Sequence, residues 1–261
     1  MTTPSAAPLS APERRPRVSE PAGRRRIGGV LFALFSATMF ASQSVASKLA
    51  LNAGATPMTV AATRCLLAAV VLWILARAVM RFPLPDSRRI LQLLGLGVVG
   101  FASEAILISE ALARLPAGTV ILIVYTYPAM LFVLAPALRT ERADPARVLA
   151  LVSSFAGVAL VVGTLADDLT VVGVGLALAT ALSTAVLAFG SERLMAGVSL
   201  PVASAVVLTG AAAALLVAGV LTGDLDLAAG REAWGWMVLQ GLVLLTAGIW
   251  AYVEAISRIG A

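Results

Sequence analysis

Residues 110–114 read Glu-Ala-Leu-Ala-Arg, and residues 254–258, which lie 144 positions later, read Glu-Ala-Ile-Ser-Arg. The same offset, without a gap, relates three further pairs: Gly29 and Gly173, Pro57 and Pro201, and Gly97 and Gly241. Charged residues make up only 13% of the chain and prolines are few, so these matches weigh more than matches of alanine or leucine. They indicate an internal repeat.

The composition predicts an all-α integral membrane protein. The 261 residues are 60% hydrophobic and have a mean hydropathy of +0.96, whereas about 25% of a soluble domain is charged. Apolar runs have about the length of a transmembrane helix, roughly 20 residues. Eight spans are predicted, at residues 27–49, 58–79, 90–113, 118–138, 148–165, 171–191, 201–221 and 233–256.

The arginines predict the topology. Most of the 19 basic residues lie in residues 1–26 and in every second connection between spans, and cytoplasmic loops are the ones that accumulate Lys and Arg. We therefore expect a multi-pass protein of the cytoplasmic membrane with a cytoplasmic amino terminus. Residues 1–26, rich in Pro, Ala, Ser and Arg, are predicted to form a disordered cytoplasmic tail.

The repeat predicts two units, residues 27–165 with five spans and residues 171–261. Because five is odd, the second unit enters the membrane from the opposite face, which makes the repeat inverted. The arginines agree, since Arg114 is predicted outside and its counterpart Arg258 inside. The counterparts of the fourth and fifth spans would fall beyond Ala261, so we expect a truncated second repeat with eight spans visible of ten.

The residue inventory restricts the chemistry. The chain has no histidine and a single cysteine, Cys65, which excludes an intrachain disulfide and a Ser-His-Asp or Cys-His catalytic unit and argues against a zinc site or haem. No Gly-x-x-x-x-Gly-Lys-Ser/Thr motif for ATP phosphates occurs. We expect no enzyme activity, no catalytic residue, no metal and no cofactor. The charge of +5 is explained by topology, so no nucleic-acid partner is expected.

Three passages carry a family resemblance. Residues 44–48, Ser-Val-Ala-Ser-Lys, close the first span and are followed by Pro57 and Arg64. Residues 110–114 lead to Gly118, to the Tyr-Pro pair at 127–128 and to Glu141, and residues 254–261 repeat that beginning. Over residues 27–261 the chain resembles the EamA-type transporters of the drug/metabolite transporter superfamily. The resemblance implies a basket of helices around a central cavity that moves small polar or amphipathic metabolites, and many such proteins are proton-driven exporters.

Polar residues inside spans are the candidates for a substrate or ion path, because they are costly in lipid and usually face a bundle interior. Helical spacing places those of the first span on one side, and the equivalent sixth span has a matching set. The alternative is that Ser and Thr join helices or bond their own backbone. The candidates from these two spans are Ser36, Gln43, Ser44, Lys48, Thr180 and Thr184.

Two ionisable residues inside spans have open roles. Glu104 lies well inside the third span, where a carboxylate can carry a proton, meet a cationic substrate or pair with Lys48 or Arg64. Arg64 can snorkel, form an ion pair or clamp a substrate carboxylate. For Glu110, nearer the span end, structural pairing is favoured.

Pro128 and neighbouring aromatic residues complete the candidates. Pro128 cannot donate to the carbonyl of Val124, so the fourth helix should kink or open there, and transporters often bind substrate at broken helices. Tyr125 and Tyr127 beside it, and Trp250 and Tyr252 in the eighth span, are cavity-lining candidates. The alternative for these rings is ordinary packing or an interfacial belt.

The leading hypothesis is a secondary active transporter, expected to be an exporter, of small metabolites or drugs. It would work by alternating access in the cytoplasmic membrane, with proton coupling left open. Its expected partners are a small-molecule substrate, protons where coupling applies and the lipid bilayer, and a homodimer is left open. The alternatives are a non-transporting membrane scaffold or sensor and a lipid-modifying membrane enzyme.

Overall fold

A computed structural model describes residues 22–131 and 170–259, with isolated positions at 149, 152–153 and 156–157. Every regular element in these residues is helical, as the sequence predicted. The α-helices are α1 Ala22–Asn52, α2 Pro57–Trp73, α3 Ser87–Gly95, α4 Ala102–Arg114, α5 Ala117–Val124, α6 Val171–Leu194, α7 Leu200–Thr222, α8 Arg231–Val238 and α9 Leu245–Ile259.

Six helices of the described residues are long and apolar enough to cross a membrane. They correspond to the first, second, third, sixth, seventh and eighth predicted spans, and they cover Ile27–Asn52, Pro57–Val79, Ser87–Arg114, Val171–Ser191, Leu200–Thr222 and Arg231–Tyr252. The described part of the fourth predicted span is an apolar helix, Ala117–Leu131, and residues 132–138 lie outside the described residues. Nearly all of the fifth, at residues 148–165, lies outside the described residues, as do residues 1–21 of the predicted tail.

Local sequence signals explain several helix ends. The Thr56 side chain accepts a hydrogen bond from the backbone N–H of Thr59, and Pro57 occupies the first turn of α2, where its missing N–H costs nothing. Thr170 caps α6 in the same way. α1 begins at Ala22 rather than Ile27, so it includes the last residues of the predicted tail, whose three arginines are good helix formers.

Three of the long helices contain a π-helical segment that the sequence did not predict. Leu96–Phe101 joins α3 to α4, and these three elements are called the third-span helix below. Leu239–Leu244 joins α8 to α9 to form the eighth-span helix. A further π segment, Ile74–Val79, ends the second span. A change of hydrogen-bond register inside a continuous apolar helix leaves no mark on composition, which is why it was missed.

Small residues allow the helices to pack closely. α1 packs mainly on the eighth-span helix, α2 on α7, and the third-span helix on α6 and α7. Gly97 shows how closely the backbones approach, because a Cβ there would lie 2.0 Å from the carbonyl oxygen of Val207. Gly97 therefore lets two helix backbones meet, whereas a Cβ on Gly95 would meet nothing within 4 Å.

Candidate functional site

A buried ion pair joins α2 to the third-span helix. The Nη2 atom of Arg64 lies 3.3 Å from Oε2 of Glu104, and the two side chains are only 7% and 15% exposed. Glu104 lies in the first turn of α4, directly after the π segment, and π segments inside α-helices often accompany functional sites. Arg64 was expected to snorkel, to form an ion pair or to clamp a substrate carboxylate, and the structure shows the ion pair.

This ion pair lines a cavity of about 460 Å³. The wall is formed by α1, α2, the third-span helix, α6, α7 and α9 and by Tyr127 and Met195. It carries few polar side chains among aromatic and aliphatic ones, the composition typical of a small-molecule site. Its polar side chains are those of Gln43, Arg64, Glu104, Thr184, Ser191 and Ser204, and its aromatic rings are those of Phe40, Phe101, Tyr127 and Tyr252.

The polar residues of the first span do not share one role. Gln43 lines the cavity, but the hydroxyl of Ser36 donates to the carbonyl of Gly248 at 2.9 Å and so ties α1 to α9. Lys48 donates from Nζ to the carbonyl of Leu112 at 2.7 Å. Ser44 is buried outside the cavity wall. Ser36, Gln43 and Ser44 are all buried within the helix bundle. Of the four first-span candidates, Gln43 alone lines the cavity.

The sixth span divides in the same way. Thr180 is fully buried, and its hydroxyl donates to the carbonyl of Leu176 at 2.8 Å. Thr184 lines the cavity, although its hydroxyl is already bonded to the carbonyl of Thr180 at 2.9 Å. Both hydroxyls thus bond their own backbone, the alternative that the sequence left open.

The fourth span is interrupted close to Pro128. The α-helix ends at Val124, residues 125–126 form a turn, and helical structure resumes at residues 127–131. The missing N–H of Pro128 explains this break. Pro128 itself and Tyr125 are exposed outside the cavity wall, whereas Tyr127 contributes to it.

Trp250 also lies outside the cavity. Its ring meets that of Phe32 edge to face, with centroids 5.4 Å apart, and it is half exposed. Tyr252, two residues further along α9, reaches the cavity instead. Residues two apart on a helix point about 200° apart, so Tyr252 faces the cavity while Trp250 faces away from it.

Phe40, Phe101 and Ser204 line the cavity without having been singled out. A usable signal existed for the two phenylalanines, because each lies three residues before a polar cavity residue: Phe40 before Gln43, and Phe101 before Glu104. Positions three apart share a helix face. Ser204 offered no such signal, since it stands among alanines and valines.

The Glu-x-x-x-Arg ends of the two long helices are structural pairs. Glu110 pairs with Arg114 and Glu254 with Arg258, each one turn apart within its own helix. The guanidinium of Arg258 also stacks over the ring of Phe32, 4.4 Å from its centroid. The structural interpretation of Glu110 is supported, although its partner is Arg114 rather than Lys48 or Arg64.

Comparisons with known proteins agree with this architecture. A solved structure named only "Crystal structure of protein" superposes with a TM-score of 0.62 over 89% of this chain and 80% of its own, at 18% sequence identity, and so shares the fold. A search of curated proteins found no match. The profile of the EamA-like transporter family matches residues 27–163, about half of the chain, so this multi-pass membrane protein belongs to that family of transporters.

Proposed function

We propose that the protein is a secondary active transporter that exports small metabolites or drugs across the cytoplasmic membrane by alternating access. The observation that carries this proposal is the cavity between the helices, with the Arg64–Glu104 ion pair in its wall. Charged side chains inside the membrane are expensive, and where they occur they commonly mark a substrate or ion path.

Both sequence units contribute to the cavity. Gln43, Arg64 and Glu104 come from residues 27–165, whereas Ser204 and Tyr252 come from residues 171–261. Transporters built from inverted repeats bind substrate at the interface between the repeats. A cavity with walls from both units is what such a mechanism requires.

The helix pairing supports an inverted repeat. With the offset of 144 residues, α2 corresponds to α7, α1 to α6, and the third-span helix to the eighth-span helix. α2 packs on its own counterpart α7. The other main pairs exchange under the same correspondence. The pair of α1 and the eighth-span helix exchanges with that of α6 and the third-span helix, and the pair of the third-span helix and α7 exchanges with that of the eighth-span helix and α2. A twofold relation between the units produces this pattern.

The cavity extends from the ion pair to Met195 and Leu200, beside the connection between α6 and α7. The arginine distribution assigns this connection to the cytoplasm, since Arg193 lies at its start. The proposed assignment is therefore an inward-facing state with a cytoplasmic amino terminus. In the opposite state the two units rock and the cavity reaches the other side.

Cysteine accessibility tests alternating access. In a Cys65→Ala background, Ser204→Cys places the only thiol in the cavity wall. A membrane-impermeant thiol reagent should modify it in inside-out vesicles and, more slowly, in right-side-out vesicles. Ser109→Cys is the control, because Ser109 is 1% exposed and outside the cavity. Modification from only one side under every imposed gradient would contradict the proposal.

Vesicle transport tests the driving force. Uptake of labelled amino acids and drugs into inside-out vesicles is measured with an imposed pH gradient. Glu104→Gln should abolish gradient-driven uptake, because the amide cannot carry a proton. Glu110→Gln, the same change in an exposed pair of the same helix, should leave it intact. Full activity of Glu104→Gln under the gradient would remove Glu104 as proton carrier.

A further inference from the structure

Two buried hydrogen-bond donors in the cavity wall have no partner among the described residues. One is Nε of Arg64, in a residue that is 6% exposed, and the other is Nε2 of Gln43, in a residue that is 8% exposed. A buried donor left unsatisfied costs about 1–3 kcal/mol. Such atoms call for an explanation, and a ligand that accepts both hydrogen bonds supplies one.

Glu104 leaves most of the Arg64 guanidinium unused. Their contact is a single hydrogen bond, from Nη2 to Oε2 at 3.3 Å. A guanidinium has five N–H donors in a planar fork, and a carboxylate can accept two of them side by side. Nε of Arg64 is therefore left without an acceptor among the described residues.

The unpartnered atoms also indicate the charge of the ligand group that would bond them. Among the described cavity-lining residues, the buried side-chain atoms without a partner are both donors. The other such atoms, in Ser199 and Gln240, belong to residues outside the cavity wall. Two donors, one of them charged, match an anionic acceptor better than an amine.

The rest of the wall defines the body of the ligand. Phe40, Phe101, Tyr127 and Tyr252 place aromatic rings around the cavity, whose volume of about 460 Å³ suits a small molecule with an apolar group of ring size. Aromatic side chains favour offset or edge-to-face contact with such a ring.

Resting on the transport function proposed above, we propose that the substrates are organic carboxylates with an apolar body, and that Arg64 and Gln43 bind the carboxylate. The carboxylate accepts hydrogen bonds from Nε of Arg64 and Nε2 of Gln43, and it competes with Glu104 for the same guanidinium. Gln43 is then a specificity-determining residue.

Equilibrium binding to the purified full chain in detergent tests this assignment. The probes are phenylacetate, its neutral isostere phenylacetamide and the cation phenethylamine, with acetate, benzoate and indole-3-acetate as further carboxylates. Ligand-induced thermal stabilisation is measured over a concentration series. We expect phenylacetate to bind about tenfold or more tightly than phenylacetamide, because the hydrogen bonds to a charged group are the stronger ones.

Variants that should weaken or strengthen phenylacetate binding make the test more specific. Gln43→Glu, nearly isosteric, should weaken phenylacetate binding about tenfold or more, since it replaces a donor by a repelling carboxylate. Gln43→Leu provides a second variant should Gln43→Glu fail to fold. Glu104→Gln should strengthen binding, because it removes the competing anion. Ser109→Ala is the control: Ser109 lies outside the cavity wall, and its hydroxyl donates to the carbonyl of Ala105 in its own helix.

Three outcomes would overturn the assignment: equal stabilisation by phenylacetamide or phenethylamine, unchanged phenylacetate binding in both Gln43 variants, or no stabilisation by any of the carboxylates. Because binding is measured without flux, these outcomes are distinct from a failure of transport. A protein that binds carboxylates but is modified from one side only fails the transport proposal. A protein that moves amines or amides in preference fails this one.

Discussion

The third-span and eighth-span helices share a backbone design and differ in chemistry. Each contains a π segment at nearly the same place in its unit, Leu96–Phe101 in one and Leu239–Leu244 in the other, and each ends in a Glu–Arg pair. Where the third-span helix has Glu104, bonded to Arg64, the repeat offset places Gly248 in the eighth-span helix.

Gly248 performs a packing task at that position. Its carbonyl accepts the hydroxyl of Ser36, and a Cβ on it would lie 3.3 Å from the ring of Phe40. One copy of the repeated helix thus carries a charge into the cavity wall, while the other brings two helices together. Two helices with the same π-segment design can therefore differ in the charged chemistry that they carry.

The largest expected effect comes from removing the Glu104 carboxylate from the third-span helix. Glu104→Leu leaves Arg64 buried without its carboxylate, and we expect a loss of about 3–5 kcal/mol in the free energy of unfolding. Arg64→Leu together with Glu104→Leu should recover most of that loss, because no charge remains unpaired. Unfolding in mixed micelles with increasing denaturing detergent measures both. A double variant no more stable than Glu104→Leu would show that the pair is not the cause.

Next comes helix packing at two glycines related by the repeat. A Cβ on Gly97 would meet the backbone of Val207 at 2.0 Å, whereas on Gly241 it would meet Cβ of the Leu67 side chain at 2.7 Å. Both contacted atoms are fixed to a helix backbone, but the overlap is deeper at Gly97, so Gly97→Ala should cost about 3 kcal/mol and Gly241→Ala about 1 kcal/mol. Melting temperatures in detergent compare the two. Gly95→Ala is the control and should cause no loss, and an equal cost for Gly97 and Gly241 would contradict the difference.

A smaller effect tests the packing role of Gly248. Ser36→Ala removes the hydroxyl that bonds its carbonyl across the α1–α9 contact. Interhelical hydrogen bonds in membranes contribute about 0.6 kcal/mol on average and up to about 1.7 kcal/mol. The same unfolding assay should show a loss in this range. Ser103→Ala should be nearly neutral, because the Ser103 hydroxyl donates to the carbonyl of Val99 in its own helix. An equal loss of stability in Ser103→Ala would show that the loss does not come from the bond between helices.

The smallest expected effect is a difference in stability between Arg114→Ala and Arg258→Ala. Arg258 stacks on Phe32 in addition to bonding Glu254, whereas Arg114 bonds Glu110 through both its carboxylate and its backbone carbonyl. We expect Arg258→Ala to cost about 0.5–1 kcal/mol more than Arg114→Ala, from the lost cation–π contact. In a Phe32→Leu background this difference should vanish. Its persistence there would assign it to another contact of Arg258.

Much of the architecture could be predicted from sequence because lipid imposes simple rules. Apolar length located six spans within a few residues, and rare charged residues stood out against the apolar background. Gln43, Arg64, Glu104 and Thr184 were singled out and do line one cavity. They were found because a polar group inside a span requires a reason to be there.

The remaining candidates show the limit of this reasoning. Ser36 and Lys48 satisfy backbone carbonyls of neighbouring helices, and Trp250 lies on the face of α9 that points away from the cavity. In a soluble protein the apolar face of a helix identifies its buried side. In a membrane both lipid and protein interior are apolar, so the same pattern does not distinguish the two.

The sequence by itself determined that the chain crosses a membrane through apolar helices, that a segment recurs after 144 residues, and which few residues carry charge inside the spans. Tertiary structure alone decided which of those residues meet: Glu104 with Arg64, Lys48 with a backbone carbonyl, and Gln43 with the cavity. The physical reason is that membrane insertion depends on the summed hydrophobicity of each segment, whereas a site depends on helix rotation and π-segment register. These are set by packing between helices distant in sequence.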